Sequence, residues 1–296
     1  MGLHPSLLMS KRFVQWARFL LLTLCLQTMA FAQGSSGRMR VPRPVVEAQN
    51  NSVILVIQPT DRGKDAVIVN GFFFEDGKTL IIPRTPSYSG LFSEGISELI
   101  VLGKNAITPS NQPANYATLT HPLKLFTLVP FKTNFLPTRP SVIFLTDPIP
   151  GYTGFQVSNS RKETAFSVPI LTKYDELFDP THYGFTNTWN RFQLLSPESD
   201  WDELFVNAIP EQNKGDISRR LSQETENPYH PRNAFRLFTA QDRVNFNTPI
   251  VDESGHLLGV SSLATTEAEE GVFHHAMLCS NILKKLVDVA RGSIRR

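Results

Sequence analysis

Residues 240–263, AQDRVNFNTPIVDESGHLLGVSSL, decide the fold. Two short apolar runs, TPIV and HLLGVSSL, flank a polar break in which Ser254-Gly255 supplies a turn. A hairpin of strands is the expectation here. The same rhythm continues in both directions. Upstream, SVILVIQP (52–59) is an apolar, β-branched run of strand length. DAVIVNGFFFEDGKTLIIP (65–83) holds two such runs broken by Glu75-Asp76-Gly77, and Asp-Gly between apolar runs is a strong hairpin signal. ELIVL (98–102), LKLFTLVPF (123–131) and AFRLF (234–238) read as further strands. SVIFLTDPIPGYTGFQVS (141–158) is a strand, a Pro/Gly turn and another strand. Downstream, GVFHHAML (271–278) is the last strand.

The chain then changes period. In SNILKKLVDVARG (280–292), Ile282, Leu283, Leu286, Val287 and Ala290 share one helical face. Ser280 is placed to cap this helix and Gly292 to stop it. Residues 175–235 break the β rhythm with aromatics, charges and turn formers, and a short helix is expected around 200–208. Many short strands with one terminal helix favour an all-β, barrel-forming chain over a parallel α/β sheet.

Composition agrees. The 296 residues are 41% hydrophobic and 19% charged, which is globular, and Pro 21 and Phe 21 are both high. Lys11, Arg12 and Arg18 precede an apolar run that ends in Ala30-Phe31-Ala32, the pattern of a cleaved export signal over 1–32. The run is short for a membrane span, and an uncleaved anchor is the rival expectation. Cleavage would remove three positive charges and no acidic residue, moving the net charge from +2 to −1. Such a chain has no electrostatic footprint for nucleic acid. Of the two cysteines only Cys279 would remain, so no internal disulfide could form. That suits a bacterial envelope protein, periplasmic or secreted. Residues 33–48 read as a Gly/Ser/Arg/Pro linker.

Three segments, in order, resemble the trypsin-like serine proteases and specifically their HtrA/Deg branch. VNGFFFEDGKTLIIPRTP (69–86) is similar to the strand, Asp-Gly hairpin and strand that end at the family's catalytic histidine. Within 240–263, Pro249-Ile250-Val251, Gly255 and Leu258-Gly259-Val260 match the residues around its nucleophile. GVFHHAMLCSNILKKLVDVARG (271–292) is similar to its closing strand and helix. The resemblance implies two six-stranded antiparallel β-barrels with a C-terminal α-helix. The expected domain is 49–292, with one barrel at about 49–140, a second at about 141–279, an insertion at about 175–235 and a helix over 280–291. No peptide-binding module is seen after the helix, a departure from the commonest architecture of that branch.

The resemblance also locates the triad positions, and all three hold the wrong chemistry. The histidine position is Arg84, whose guanidinium stays protonated and cannot act as a base. The serine position is Phe246, which has no nucleophilic atom. The aspartate position falls at Lys124. The glycines around the nucleophile become Val244, Asn247 and Thr248. No histidine lies within 65–95, and Thr248 is the nearest hydroxyl to Phe246. No catalytic residue, cofactor or metal site is expected. His274 and His275 are adjacent on a strand and point to opposite faces, and the other histidines are scattered.

Three functions remain open. A pseudoprotease could still pair an extended peptide with the strand edge that the resemblance places at Ser262, Leu263 and Ala264. A scaffold could bind a protein partner through the insertion, with Trp189, Phe192 and Trp201 as anchors. An active hydrolase would need relocated catalytic residues.

Overall fold

The computed structural model describes residues 40–60, 65–83, 95–103, 116–119, 123–128, 140–159, 164–168, 171–173, 183–185, 190–195, 226, 230–240, 248–269 and 272–294. Elements run α1 (Arg43–Ala48), β1 (Ser52–Pro59), β2 (Val67–Phe74), β3 (Thr79–Ile82), β4 (Ile96–Gly103), β5 (Tyr116–Leu119), β6 (Leu125–Thr127) and β7 (Ser141–Phe144). There follow β8 (Thr164–Ser167), β9 (Leu171–Lys173), β10 (Tyr183–Phe185), β11 (Asn190–Leu194), α2 (Pro231–Ala234), β12 (Phe235–Ala240), β13 (Pro249–Val251), β14 (Leu257–Glu269), β15 (Val272–Cys279) and α3 (Ser280–Ile294).

The first antiparallel sheet has seven strands in the order β5-β4-β1-β2-β3-β7-β6. A single bridge between Ile96 and Leu123 then links β4 to the residues leading into β6. Both of its hydrogen bonds are made, at 2.8 and 3.2 Å. Six strands thus curl towards closure, and β5 lies outside them on β4. The second sheet is a closed barrel, β11-β12-β15-β14-β13-β8. One closed barrel and one half-barrel, each of six antiparallel strands, followed by a C-terminal helix make the trypsin-like fold.

Strand alternation distributes the side chains. Val53, Leu55, Ile57, Phe73, Leu80, Ile82 and Ile143 fill the first barrel. Their neighbours Phe72, Phe74, Ile81 and Val142 point the other way, into a second cluster shared with Phe166, Leu237, Val251 and Leu278 of the second barrel. The second barrel's own interior holds Ala165, Phe192, Leu194, Phe238, Ile250, Leu258 and Met277. The linker between the barrels is zipped to both. Phe155 bridges Phe74 of β2, and Val157 bridges Leu257 of β14. Gly154 (φ +79°) permits this, because a Cβ there would lie 2.7 Å from the Glu75 nitrogen.

Several boundaries differ from the sequence expectation. Ser141–Phe144 pairs with β3 and β6, so the first barrel extends past 140 to Phe144. Arg43–Ala48, expected in the linker, is a helix that starts after Pro42 and buries Val45 and Ala48. The interval 175–235 is not all insertion, because β11 is a barrel strand paired to β8 and β12. The helix expected at 200–208 lies outside the described residues. Helix α3 continues through Gly292 to Ile294.

Candidate functional site

The segment 240–263 re-enters the described structure at Thr248, which is buried. Thr248 meets β14 at Ser261, also buried. The Ser261 N–H donates to the Thr248 carbonyl at 3.0 Å. The Thr248 N–H donates to Ser261 Oγ at 2.8 Å, and that hydroxyl lies 3.3 Å from the Thr248 carbonyl. Beyond this point β13 pairs with β14 through Pro249–Val260 and Ile250–Gly259. Gly259 is needed there, because a Cβ would sit 2.4 Å from the Leu278 carbonyl oxygen.

The turn from β13 to β14 is organised by Asp252, a buried residue. Its Oδ1 accepts from the Ser254 and His256 N–H groups, an Asx-type turn. Its Oδ2 accepts from the Ser158 hydroxyl of the linker. His256 Nδ1 is 4.0 Å from the same oxygen. Gly255 has φ +79°, and a Cβ would meet the Pro44 carbonyl oxygen at 2.6 Å. The carboxylate therefore holds a turn and a linker.

The residues singled out from sequence are placed as follows. Lys124 is exposed, between bridge residue Leu123 and β6. Arg84, Phe246, Trp189 and Trp201 lie outside the described residues. Ser262, Leu263 and Ala264 lie on β14, with Leu263 opposite Ala276 and Ala264 opposite His275 on β15. Among the described residues, β14 past Val260 pairs as a strand with β15 alone. Phe192 is not a surface anchor. It is 5% exposed inside the second barrel, stacked on Phe238 at 4.5 Å, so it packs rather than binds. The period-2 pattern Phe192, Leu194 in NRFQL carried that signal in the sequence.

Other titratable groups are tied into packing. His275 is buried and its ring stacks on Phe238 at 5.0 Å. Burial pushes the Cys279 thiol up to about 12, with Arg236 pulling it the other way, so it is not a thiolate near neutrality. Burial likewise raises the Tyr152 hydroxyl to about 12. Among the described residues no three His, Cys, Asp or Glu side chains gather as a metal site would need. No described helix is long and apolar enough to cross a membrane.

Sequence comparison adds no family, because no family model and no curated protein matches the chain. Solved structures do match. A scabies mite inactivated protease paralogue aligns over 83% of this chain and 97% of its own, at 10% identity and TM-score 0.48. The HtrA-type protease AlgW with tripeptide, in a serine-to-alanine form, aligns over 83% of this chain and 61% of its own, at 8% identity and TM-score 0.42. AlgW itself with tripeptide gives 81% and 60%, at 8% identity and TM-score 0.39. The fold assignment rests on the strand order and pairing described above.

Proposed function

We propose that this chain is an exported, catalytically inactive relative of the trypsin-like proteases that binds an extended peptide or protein segment and releases it uncut. The observation that carries the proposal is the edge of β14. Past Val260 that strand has one strand partner among the described residues, and Ser262–Ala264 lie on this stretch. An extended guest could add there as a further strand, with backbone hydrogen bonds supplying affinity and no triad required. The residues at the triad positions support inactivity. Arg84 cannot take a proton, Phe246 cannot attack, and Lys124 would repel rather than orient a protonated base. The basic, apolar, small-x-small pattern over 1–32 supports export.

The test uses the purified chain, a fluorophosphonate serine-hydrolase probe and fluorescein-labelled, unfolded casein. The expected result is no labelling, no cleavage and casein binding that Leu263→Arg weakens at least tenfold. Labelling that heat denaturation abolishes would show an activated hydroxyl elsewhere and overturn the inactive reading. Absence of casein binding would remove the support for an open, general peptide edge.

A further inference from the structure

The turn between β2 and β3 holds a backbone conformation that its sequence does not favour. Glu75 has φ +49°, two residues before Gly77 at φ +64°. The Asp76 N–H donates back to the Phe74 carbonyl at 2.7 Å, closing a three-residue turn centred on Glu75. With a positive φ at its centre, this is the rare and strained form of the γ-turn. Glycine would adopt it freely, whereas glutamate adopts it at a cost. Strain of this kind persists only where the surroundings over-determine it.

Three contacts do this, and all come from distant parts of the chain. The Glu75 N–H donates to the Phe155 carbonyl at 2.9 Å. The Glu75 carbonyl accepts from Gln156 Nε2 at 2.7 Å. The Glu75 carboxylate pairs with Lys284 of α3. Two glycines let turn and linker approach this closely. A Cβ on Gly154 would lie 2.7 Å from the Glu75 nitrogen, and one on Gly77 would lie 2.5 Å from the Tyr152 carbonyl oxygen. One residue of the first barrel thus holds both the linker between the barrels and the helix that follows the second. A change in φ turns the groups on the Glu75 Cα as a unit about the N–Cα bond. The carbonyl and the carboxylate therefore leave their partners together, which gives the turn two discrete arrangements rather than a continuum.

We propose that Glu75 is a strained latch between the barrels: its pair with Lys284 holds the γ-turn in the strained form, and loss of that pair lets Glu75 return to negative φ and frees the linker from the turn. The apolar cluster beneath, with Phe74, Phe155 and Leu283, stays packed in both arrangements. What opens is the polar seam above it. Salt that screens the pair, or a charged group that competes for either partner, shifts the latch towards its open form. Glycine in place of Glu75 would close the turn without the charge, and there would be no strain to release.

The experiment measures hydrogen-exchange protection of the residue-75 amide in the full chain, with the amides that join β1 to β2 as the internal reference. Lys284→Met keeps the stem and removes the charge. Glu75→Gln removes the charge and keeps the strain, whereas Glu75→Gly removes both. The expected result is a roughly three- to fivefold loss of protection in Lys284→Met and in Glu75→Gln, as for a partly exposed ion pair. Glu75→Gly should regain most of that loss, and adding Lys284→Met to it should change nothing further. The reference amides should hold steady throughout. Equal protection in Lys284→Met and the unaltered chain overturns the part given to the pair. Protection in Glu75→Gly as low as in Glu75→Gln overturns the stored strain, and an equal loss at the reference amides makes the effect general unfolding and overturns the latch. If a variant fails to fold, the unaltered chain still decides. About 1 M sodium chloride should lower protection at Glu75 and leave the reference amides unchanged, and a flat response overturns the proposal.

Discussion

Phe192 shows what a single aromatic can mean in two contexts. Among the polar residues of 175–235 it has the look of an interface anchor, yet its ring stacks on Phe238 within the second barrel. The distinction was legible locally. Phe192 and Leu194 alternate with exposed Arg191 and Gln193, as a half-buried strand requires. What the sequence could not supply was the partner, because Phe238 lies on β12, across a long interval. Truncating a ring enclosed in this way costs about 3–5 kcal/mol. Phe192→Ala should therefore lose a large share of the chain's stability in urea unfolding, with a lower midpoint and little change in slope. A shift within error of zero would put the ring outside the core. The Thr248–Ser261 contact marks the opposite limit. Both residues are visible in the sequence, but a side-chain hydroxyl accepting from a backbone N–H across the pair is invisible until the strands are registered.

At the scale of elements, the β2–β3 hairpin and helix α3 explain each other. Asp-Gly announced the hairpin, and the turn over Glu75–Lys78 uses it, with Gly77 at φ +64°. Glu75 also has positive φ, at 49°, which a non-glycine residue adopts at some cost. The compensation comes from α3. Lys284 pairs with the Glu75 carboxylate, and Arg291 donates to Asp76 at 2.9 Å and to Thr79 Oγ1 at 2.7 Å. Arg291 also lies over the Phe144 ring at 5.3 Å. The contacts to Glu75, Asp76 and Thr79 span more than two hundred residues of sequence, so no local pattern foretells them. The helix also outruns its expected stop. Gly292 stays helical, and Ser293 Oγ donates back to the Ala290 carbonyl at 2.7 Å, with the Val289 carbonyl at 3.3 Å. Burial works to raise the Asp76 carboxyl, but the Lys78 N–H, Thr79 and Arg291 together hold it below its ordinary value. A carboxyl lowered on folding stabilises above its unfolded pKa, and that contribution is lost as pH falls through the folded value. Asp76→Asn should thus cost stability at pH 7, by roughly 1 kcal/mol or less for a partly exposed pair. The gap between the two chains should close below about pH 4. Thermal melts of both proteins from pH 7 to pH 2.5 test this, and a gap independent of pH would remove the charge from the explanation.

For the whole molecule, the question is why two barrels behave as one body. Each has an interior of its own, but the cluster between them draws Phe72 and Phe74 from the first, Phe235 and Leu278 from the second, and Ile282, Leu283, Leu286 and Val287 from α3. The resemblance implied two six-stranded barrels, and alternation and turn residues marked many of their strands, though not β8 or β11. The shared cluster followed from neither, since it is built from the outward faces of strands whose sequence gives no partner. Its size is what matters. Burying four aliphatic side chains of α3 is worth roughly 1.5–3 kcal/mol each before entropy is set against it. That sum is comparable to the about 5–15 kcal/mol net stability of a typical domain. Helix α3 is thus a member of the core joining the barrels, and its ion pairs to Glu75 and Asp76 add a smaller contribution than its buried face. Deleting residues 280–296 should accordingly abolish the cooperative transition of both barrels, not of the second alone. Calorimetry and near-ultraviolet circular dichroism of the shortened chain would show it. The aromatic signal should collapse, with no sharp endotherm left. A surviving transition from an intact first barrel would mean that its interior, built on Leu55, Phe73 and Ile82, is self-sufficient and that the shared cluster is only a seam.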